Sequence, residues 1–186
     1  KNGKDSFPSI QNGSPVVLYA GRISKEKGVM ELPDIYEKVK SKYGDVQFVV
    51  AGTGPAEEEL KKQMPEAKYL GWVDHNNLPA LYSAANLLIL PSKFDTFSVV
   101  VLEALSCGLP VVAYNIMGPK DIIKNEENGY LVKSKSDMSN KIVQYLNSKD
   151  IQKAFKKSAV KRAKNYSFDV ILKDFLFEVG LNTDDQ

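Results

Sequence analysis

The run Leu87–Pro110, LLILPSKFDTFSVVVLEALSCGLP, decides the fold. Its first four residues are apolar and stop at Pro91, the pattern of a short strand buried on both faces. The residues after Pro91 pull two ways. Val99, Val100 and Val101 are β-branched and favour strand, whereas Glu103, Ala104 and Leu105 favour helix. Gly108 stands where the residue just past a helix end belongs. A second strand directly after Leu87–Leu90 would leave no crossover. Phe97–Leu105 is therefore read as a helix, returning the chain to a further strand at Val111–Ala113.

The same alternation extends outward. Val16–Ala20 is a buried strand ending at Gly21, and apolar residues at Val29, Leu32, Ile35, Tyr36 and Val39 predict a helix over 28–43. Val46–Ala51 is a second strand, closed by Gly52-Thr53-Gly54. A charged helix is expected at Ala56–Met64, a weak strand at Lys68–Leu70, a helix at Asn77–Ala85 and a short strand at Gly129–Val132. From Ser136 to about Val179 the pattern is helical, with breaks near Ser148 and Ser167. Strands alternating with helices imply right-handed crossovers and a doubly wound, Rossmann-like parallel sheet of the α/β class.

Residues 15–180 read as one domain. Residues 1–14 are polar, with Gly3, Pro8 and Gly13, and read as a linker or chain end rather than a signal peptide; residues 181–186 read as a polar tail. Lys+Arg is 25 against Asp+Glu 23, a balance that does not point to nucleic acid. Only Arg22 and Arg162 are arginines, which suggests positions where a fork of donors matters. Cys107 is the single cysteine, so no intramolecular disulfide forms. No apolar run approaches the roughly 20 residues of a membrane-spanning helix.

In an open parallel sheet, ligands bind beyond the carboxyl ends of the strands. Three loops there carry chemistry: Gly21–Gly28, Gly52–Pro55 and Pro91–Ser98. Arg22 and Lys27 place two positive charges on one anion. A helix starting near Ser98 aims free N–H groups and a positive dipole end at it. This combination suits a diphosphate without a metal. The alternative is that Lys25, Glu26 and Lys27 form a solvated loop. A nicotinamide dehydrogenase is disfavoured, because Gly21-Arg22-Ile23 lacks the G-x-G-x-x-G fingerprint.

Several segments, in order, resemble the group 1 glycosyl transferases. Gly21–Gly28 resembles the family's G-R-x-x-x-x-K-G loop, and Gly52-Thr53-Gly54-Pro55 its G-x-G-P turn. Leu70-Gly71-Trp72-Val73, Leu81–Asn86 with Leu90-Pro91-Ser92, and Gly108–Ala113 resemble its L-G-x-V, L-Y-x-x-A-D…P-S and G-x-P-V-V segments. Asp95 and Glu103 resemble its paired acids, and Asn165–Asp169 its closing aromatic–Ser–aromatic–acid motif.

The resemblance implies the donor-binding, C-terminal half of a retaining GT-B enzyme. Such an enzyme moves a hexose from a UDP- or GDP-sugar to a glycan or lipid-linked acceptor, with no metal or other cofactor. It assigns the donor diphosphate to Arg22 and Lys27, the ribose hydroxyls to Glu103 and the transferred sugar to Asp95. Backbone N–H groups of Phe97, Ser98 and Val99 would serve phosphate or sugar. Gly21, Gly52 and Gly54 would line the pocket, with the base near Trp72 and Val73. Core packing is the rival reading for Trp72, and capping of the next helix the rival for Asp95.

This sequence departs from the family pattern in having Asp at 95 where Glu is usual, and Thr96 and Ser98 where glycines are usual. Met117 stands in place of the first glycine before Gly118. His75 reads as a surface residue and Cys107 as a small helix residue. The acceptor domain would precede Lys1, so the chain alone is expected to catalyse little. Phe168, Ile171, Leu172, Phe175 and Leu176 would then leave an apolar patch. A cytoplasmic enzyme is implied, with peripheral membrane association of the full-length protein left open. A non-catalytic sugar-nucleotide-binding module and a GT-B epimerase or phosphorylase are the alternatives.

Overall fold

In the computed structural model, residues 13–167 are described together with Phe7, Ile10 and Val170. Six short strands form one sheet: β1 (Val16–Ala20), β2 (Gln47–Ala51), β3 (Lys68–Gly71), β4 (Leu87–Leu90), β5 (Val111–Tyr114) and β6 (Gly129–Val132). Their spatial order is β3-β2-β1-β4-β5-β6 and every neighbouring pair is parallel. Among the described residues, seven α-helices accompany them: α1 (Leu32–Tyr43), α2 (Glu57–Gln63), α3 (Leu78–Ala84), α4 (Val99–Ser106), α5 (Pro119–Ile122), α6 (Lys135–Asn147) and α7 (Lys149–Lys164).

The strands are apolar throughout because both faces are covered. Side chains alternate, so Val17, Tyr19, Phe48, Val50, Leu87, Ile89, Val112 and Tyr114 pack under α1 and α6 with Leu32, Ile35, Met138 and Ile142. Val16, Leu18, Val49, Leu88, Leu90, Val111 and Ala113 face the other way, against Leu81, Tyr82, Val101, Ala104 and Leu105 of α3 and α4. Ile10, within the stretch read as a linker, is buried in this second cluster, and Phe7 packs beside it.

The decisive segment is a helix. Three valines in α4 cost it roughly 0.5 kcal/mol each against alanine. Val101 and Leu105 are fully buried, and each buried side chain of that size returns about 1.5–3 kcal/mol. Packing and the crossover therefore outweigh local preference. Burying Val101, Ala104 and Leu105 turns Val100 and Glu103, three residues apart, to one other side of α4.

Two details differ from the periodicity, and a third, the break near Ser148, agrees with it. The helical span 28–43 is interrupted: Gly28, at φ 71°, separates a 3-10 turn at Lys25–Lys27 from another at Val29–Glu31, and α1 begins only at Leu32. Helix α5, one turn long with Pro119 in its first turn, carries too few residues for a periodic signal. The break at Ser148 is sharp because its hydroxyl accepts the Ile151 N–H and caps α7. Phe168, Ile171, Leu172, Phe175, Leu176 and the tail 181–186 lie outside the described residues.

Beyond the strand ends the ladder continues into the loops. Gly21 N–H donates to Ala51 O at 2.9 Å, Ile23 N–H to Thr53 O at 3.0 Å and Gly52 N–H to Gly71 O at 2.7 Å. The loops approach so closely that a Cβ on Gly52 would sit 1.9 Å from Gly21 O, and one on Gly54 2.3 Å from Ile23 O. Gly28 meets the β4 loop in the same way, 2.0 Å from Pro91 O. Gly52→Ala therefore has to push backbone aside at φ 133°. It is expected to lower stability by about 2–4 kcal/mol in urea unfolding. Gly44→Ala, also at positive φ but with nothing within 4 Å, should cost about 1 kcal/mol. Equal losses would show that the loop contact contributes nothing.

Candidate functional site

Connections leave β1 toward one face of the sheet and β4 toward the other, so a crevice opens at their carboxyl ends, the switch point of the topology. Two clefts adjoin there. The larger, about 590 Å³, is lined by Gly21, Arg22, Gly52, Thr53, Gly54, Trp72, Val73, Leu78, Tyr82, Val100 and Glu103. The smaller, about 220 Å³, is lined by Tyr19, Arg22, Lys27, Leu90, Asp95, Phe97, Ser98 and Val99. They share Ala20, Gly21, Arg22 and Val100. Every candidate residue from the sequence thus lies on one rim, with Arg22 at the junction.

Arg22 follows β1 directly, and its backbone is held by Tyr19, whose hydroxyl donates to Arg22 O at 2.7 Å. Its guanidinium lies 3.9 Å from Glu26, both side chains being about two-thirds exposed. Such a pair is weak and leaves the guanidinium free to turn. Lys25, by contrast, leaves the rim to pair with Glu59 at 2.8 Å. Lys27 closes the 3-10 turn, half-buried, and has no ion pair among the described residues. Two cations with little local compensation therefore flank the smaller cleft.

The start of α4 completes that cleft. Ser98 is the N-cap residue but does not cap the helix: its hydroxyl, 1% exposed, donates to Asp95 Oδ2 at 2.7 Å. Asp95 accepts from a side chain and caps no backbone group. Gly118, before α5, backs this turn, with Asp95 Cβ 3.5 Å from where its own Cβ would be. One expectation needs correction: the Val99 N–H is not free, because it donates to Phe97 O at 3.0 Å. In the turn into α4, the N–H groups of Phe97, Ser98 and Val100 have no acceptor among the described residues. The tight turn into the helix uses Val99 and passes its place to the next residue. These donors carry the partial positive charge of the helix end.

Glu103 faces the larger cleft with a side chain 28% exposed. Tyr82, on α3, donates to its Oε2 at 2.8 Å. Burial, then the bond to Glu103, raises the phenol far above the usual tyrosine range, so it stays protonated as a donor. His75 Nδ1 lies 3.9 Å from Oε1, although His75 is largely exposed. Cys107 sits at the α4 terminus, where burial, and then the charge of Glu103, pushes its thiol up. It is therefore poorly suited to act as a nucleophile. Among the described residues no group of three or more His, Cys, Asp or Glu could hold a metal ion. No described helix is long and apolar enough to cross a membrane.

Trp72 is 71% exposed on the mouth of the larger cleft, beside Val73, so core packing does not explain it. Gly52 and Gly54 line this cleft too, but their bare Cα atoms are used against Gly21 and Ile23. The second arginine lies elsewhere: Arg162 donates to Ile122 O at 2.8 Å and Asp121 O at 2.7 Å, clamping the end of α5 together with Tyr166. Sequence reading missed Tyr82, Tyr19, Val100 and the position of His75. Tyr82 was legible only as the tyrosine of the Leu81–Asn86 motif and by its place one helical turn after Leu78, and neither assigned it to the site.

Known proteins give the arrangement a context. The sequence model of a family described as "Glycosyl transferases group 1" matches residues 3–162. Alpha-D-kanosaminyltransferase of Streptomyces kanamyceticus is 32% identical over 124 residues, covering 63% of this chain and 32% of that protein. The C-terminal domain of a group 1 glycosyl transferase of Francisella tularensis superposes with a TM-score of 0.78 at 22% identity, covering 89% of this chain and 92% of that one. Anabaena HepE, crystallised with UDP and glucose, superposes with a TM-score of 0.80 at 21% identity, covering 97% of this chain and 51% of that one. At such identities the likeness to solved structures is one of fold, here one half of the GT-B architecture. The chain spans about a third of the length of the curated relatives it matches.

As the sole tryptophan, Trp72 reports on the rim directly. Its emission should be that of a solvated indole, quenched by acrylamide, and Trp72→Ala should change stability by no more than about 0.5 kcal/mol. A blue-shifted, protected emission would contradict this placement.

Proposed function

Because this chain belongs to the group 1 glycosyl transferases, we propose that its paired clefts hold the sugar nucleotide donor of a transfer reaction. The observation that carries the proposal is the meeting of two weakly paired cations, the free N–H groups of a helix start and a half-buried carboxylate on one rim. A diphosphate fits between Arg22, Lys27 and the start of α4, where charge and hydrogen-bond donors coincide. Glu103 offers acceptor oxygens to the vicinal hydroxyls of a ribose. The base then extends toward Trp72 and Val73, and the transferred sugar toward Asp95. The presence of UDP and glucose in the Anabaena neighbour supports this ligand class.

In this proposal the donor is a UDP- or GDP-sugar, and transfer keeps the anomeric configuration. As the glycosidic bond of the donor breaks, negative charge grows on the departing diphosphate. Arg22, Lys27 and the helix start stabilise it from fixed positions, with no metal required. Asp95 is oriented by Ser98 rather than free, which suits a residue that holds sugar hydroxyls. The acceptor, a glycan or lipid-linked molecule, would be supplied by the part of the protein corresponding to the remainder of the longer relatives.

Calorimetric titration of this chain with UDP and with GDP tests the reading. Binding of one of them is expected, weakened roughly tenfold by Arg22→Ala and by Lys27→Ala, since each removes a charge-assisted hydrogen bond. Absence of heat with both nucleotides at millimolar concentration would overturn it.

A further inference from the structure

We infer that Tyr82 is a positioning residue for Glu103, and that it sets the preference of this site for ribonucleotides over deoxyribonucleotides. The inference rests on the proposed role of Glu103 as the acceptor for ribose hydroxyls. A glutamate has three side-chain torsions, and a ligand that must first order it loses affinity in doing so. Here the ordering is done beforehand. The Tyr82 ring is 2% exposed, packed in the cluster that also holds Leu81, Val101 and Leu105, so its hydroxyl has little freedom. That hydroxyl donates to Oε2 at 2.8 Å and stays protonated, so the bond does not lapse in ordinary buffers.

The consequence is a division of labour between the two carboxylate oxygens. Oε2 is tied to α3, and Oε1 is left for a partner from the cleft side. Without the tie, the nearest competing group is the exposed imidazole of His75, whose Nδ1 lies 3.9 Å from Oε1. A swing toward the imidazole would take the carboxylate away from the ligand. Tyr82 thus keeps a neighbouring side chain from capturing the group that reads the sugar. Both residues line the larger cleft, from different helices and 21 positions apart, so the bond also couples α3 to α4 at the site.

The experiment compares UDP or GDP, whichever the wild-type chain takes up, with its 2′-deoxy counterpart, by calorimetry. Tyr82→Phe should weaken the ribonucleotide roughly five- to tenfold and the deoxynucleotide less than about twofold, narrowing the preference. Equal weakening of both, or an unchanged ratio, would overturn the inference, because loss of packing alone does not distinguish the two sugars. In a Glu103→Ala background, Tyr82→Phe should have no further effect; an additive loss would also overturn it. If Tyr82→Phe fails to fold, Glu103→Gln serves. An anchoring phenol takes the amide oxygen and turns the NH₂ toward the ribose, which collapses the preference. If the amide is not anchored, it rotates and the preference survives, and the inference falls. Failure of the wild-type chain to bind either ribonucleotide would instead refute the donor site itself, and the inference with it.

Discussion

The contact on which the rest depends is the approach of loop backbone to loop backbone at the carboxyl end of the sheet. Gly52 lies against Gly21, Gly54 against Ile23 and Gly28 against Pro91, each closer than a side chain would permit. These contacts continue the hydrogen-bond ladder past the strands, so the loops that carry Arg22 and Lys27 are extensions of a rigid sheet. Residues on such a base keep their mutual distances, which is what charge stabilisation of a developing anion requires. The glycines act one step away from any ligand: they let the cationic loops lie side by side.

Each carboxylate named on the rim is restrained by a neutral hydroxyl instead of a close cation. Asp95 is held by Ser98 and Glu103 by Tyr82. A hydroxyl fixes an orientation and leaves the negative charge uncompensated, ready for hydrogen-bond donors from a ligand. The cations on the same rim are loosely held in turn, Arg22 by a distant and exposed Glu26. The exposed lysines away from the rim are often paired, as Lys25 with Glu59 and Lys61 with Glu57. Lys27, on the rim, has no such partner among the described residues.

The α5 turn shows how a distant segment reaches the site. Arg162 and Tyr166 grip the carbonyls of Asp121 and Ile122, α5 presents Gly118, and Gly118 backs the Asp95–Ser98 turn. The planar guanidinium suits this work because it reaches two carbonyls at once. Membership of the group 1 glycosyl transferases thus rests on a whole domain that supports its rim, and not on the rim motifs alone.

What the amino-acid order determined by itself was the sheet and its rim. Short apolar runs closed by Gly or Pro and alternating with helical segments fit strands covered on both faces, and in a parallel sheet the loops after them share one edge. Arg22, Lys27 and Asp95, on loops after strands, were therefore legible on one edge before any coordinate, and Glu103 joined them through its resemblance to the family's paired acids. Tertiary structure alone decided which atoms remain free. The exposure of Trp72, the spent N–H of Val99, the break at Gly28 and the bond from Tyr82 to Glu103 depend on how the folded chain packs around each of them. Periodicity records which face a residue turns to the core, but not which neighbour it meets there.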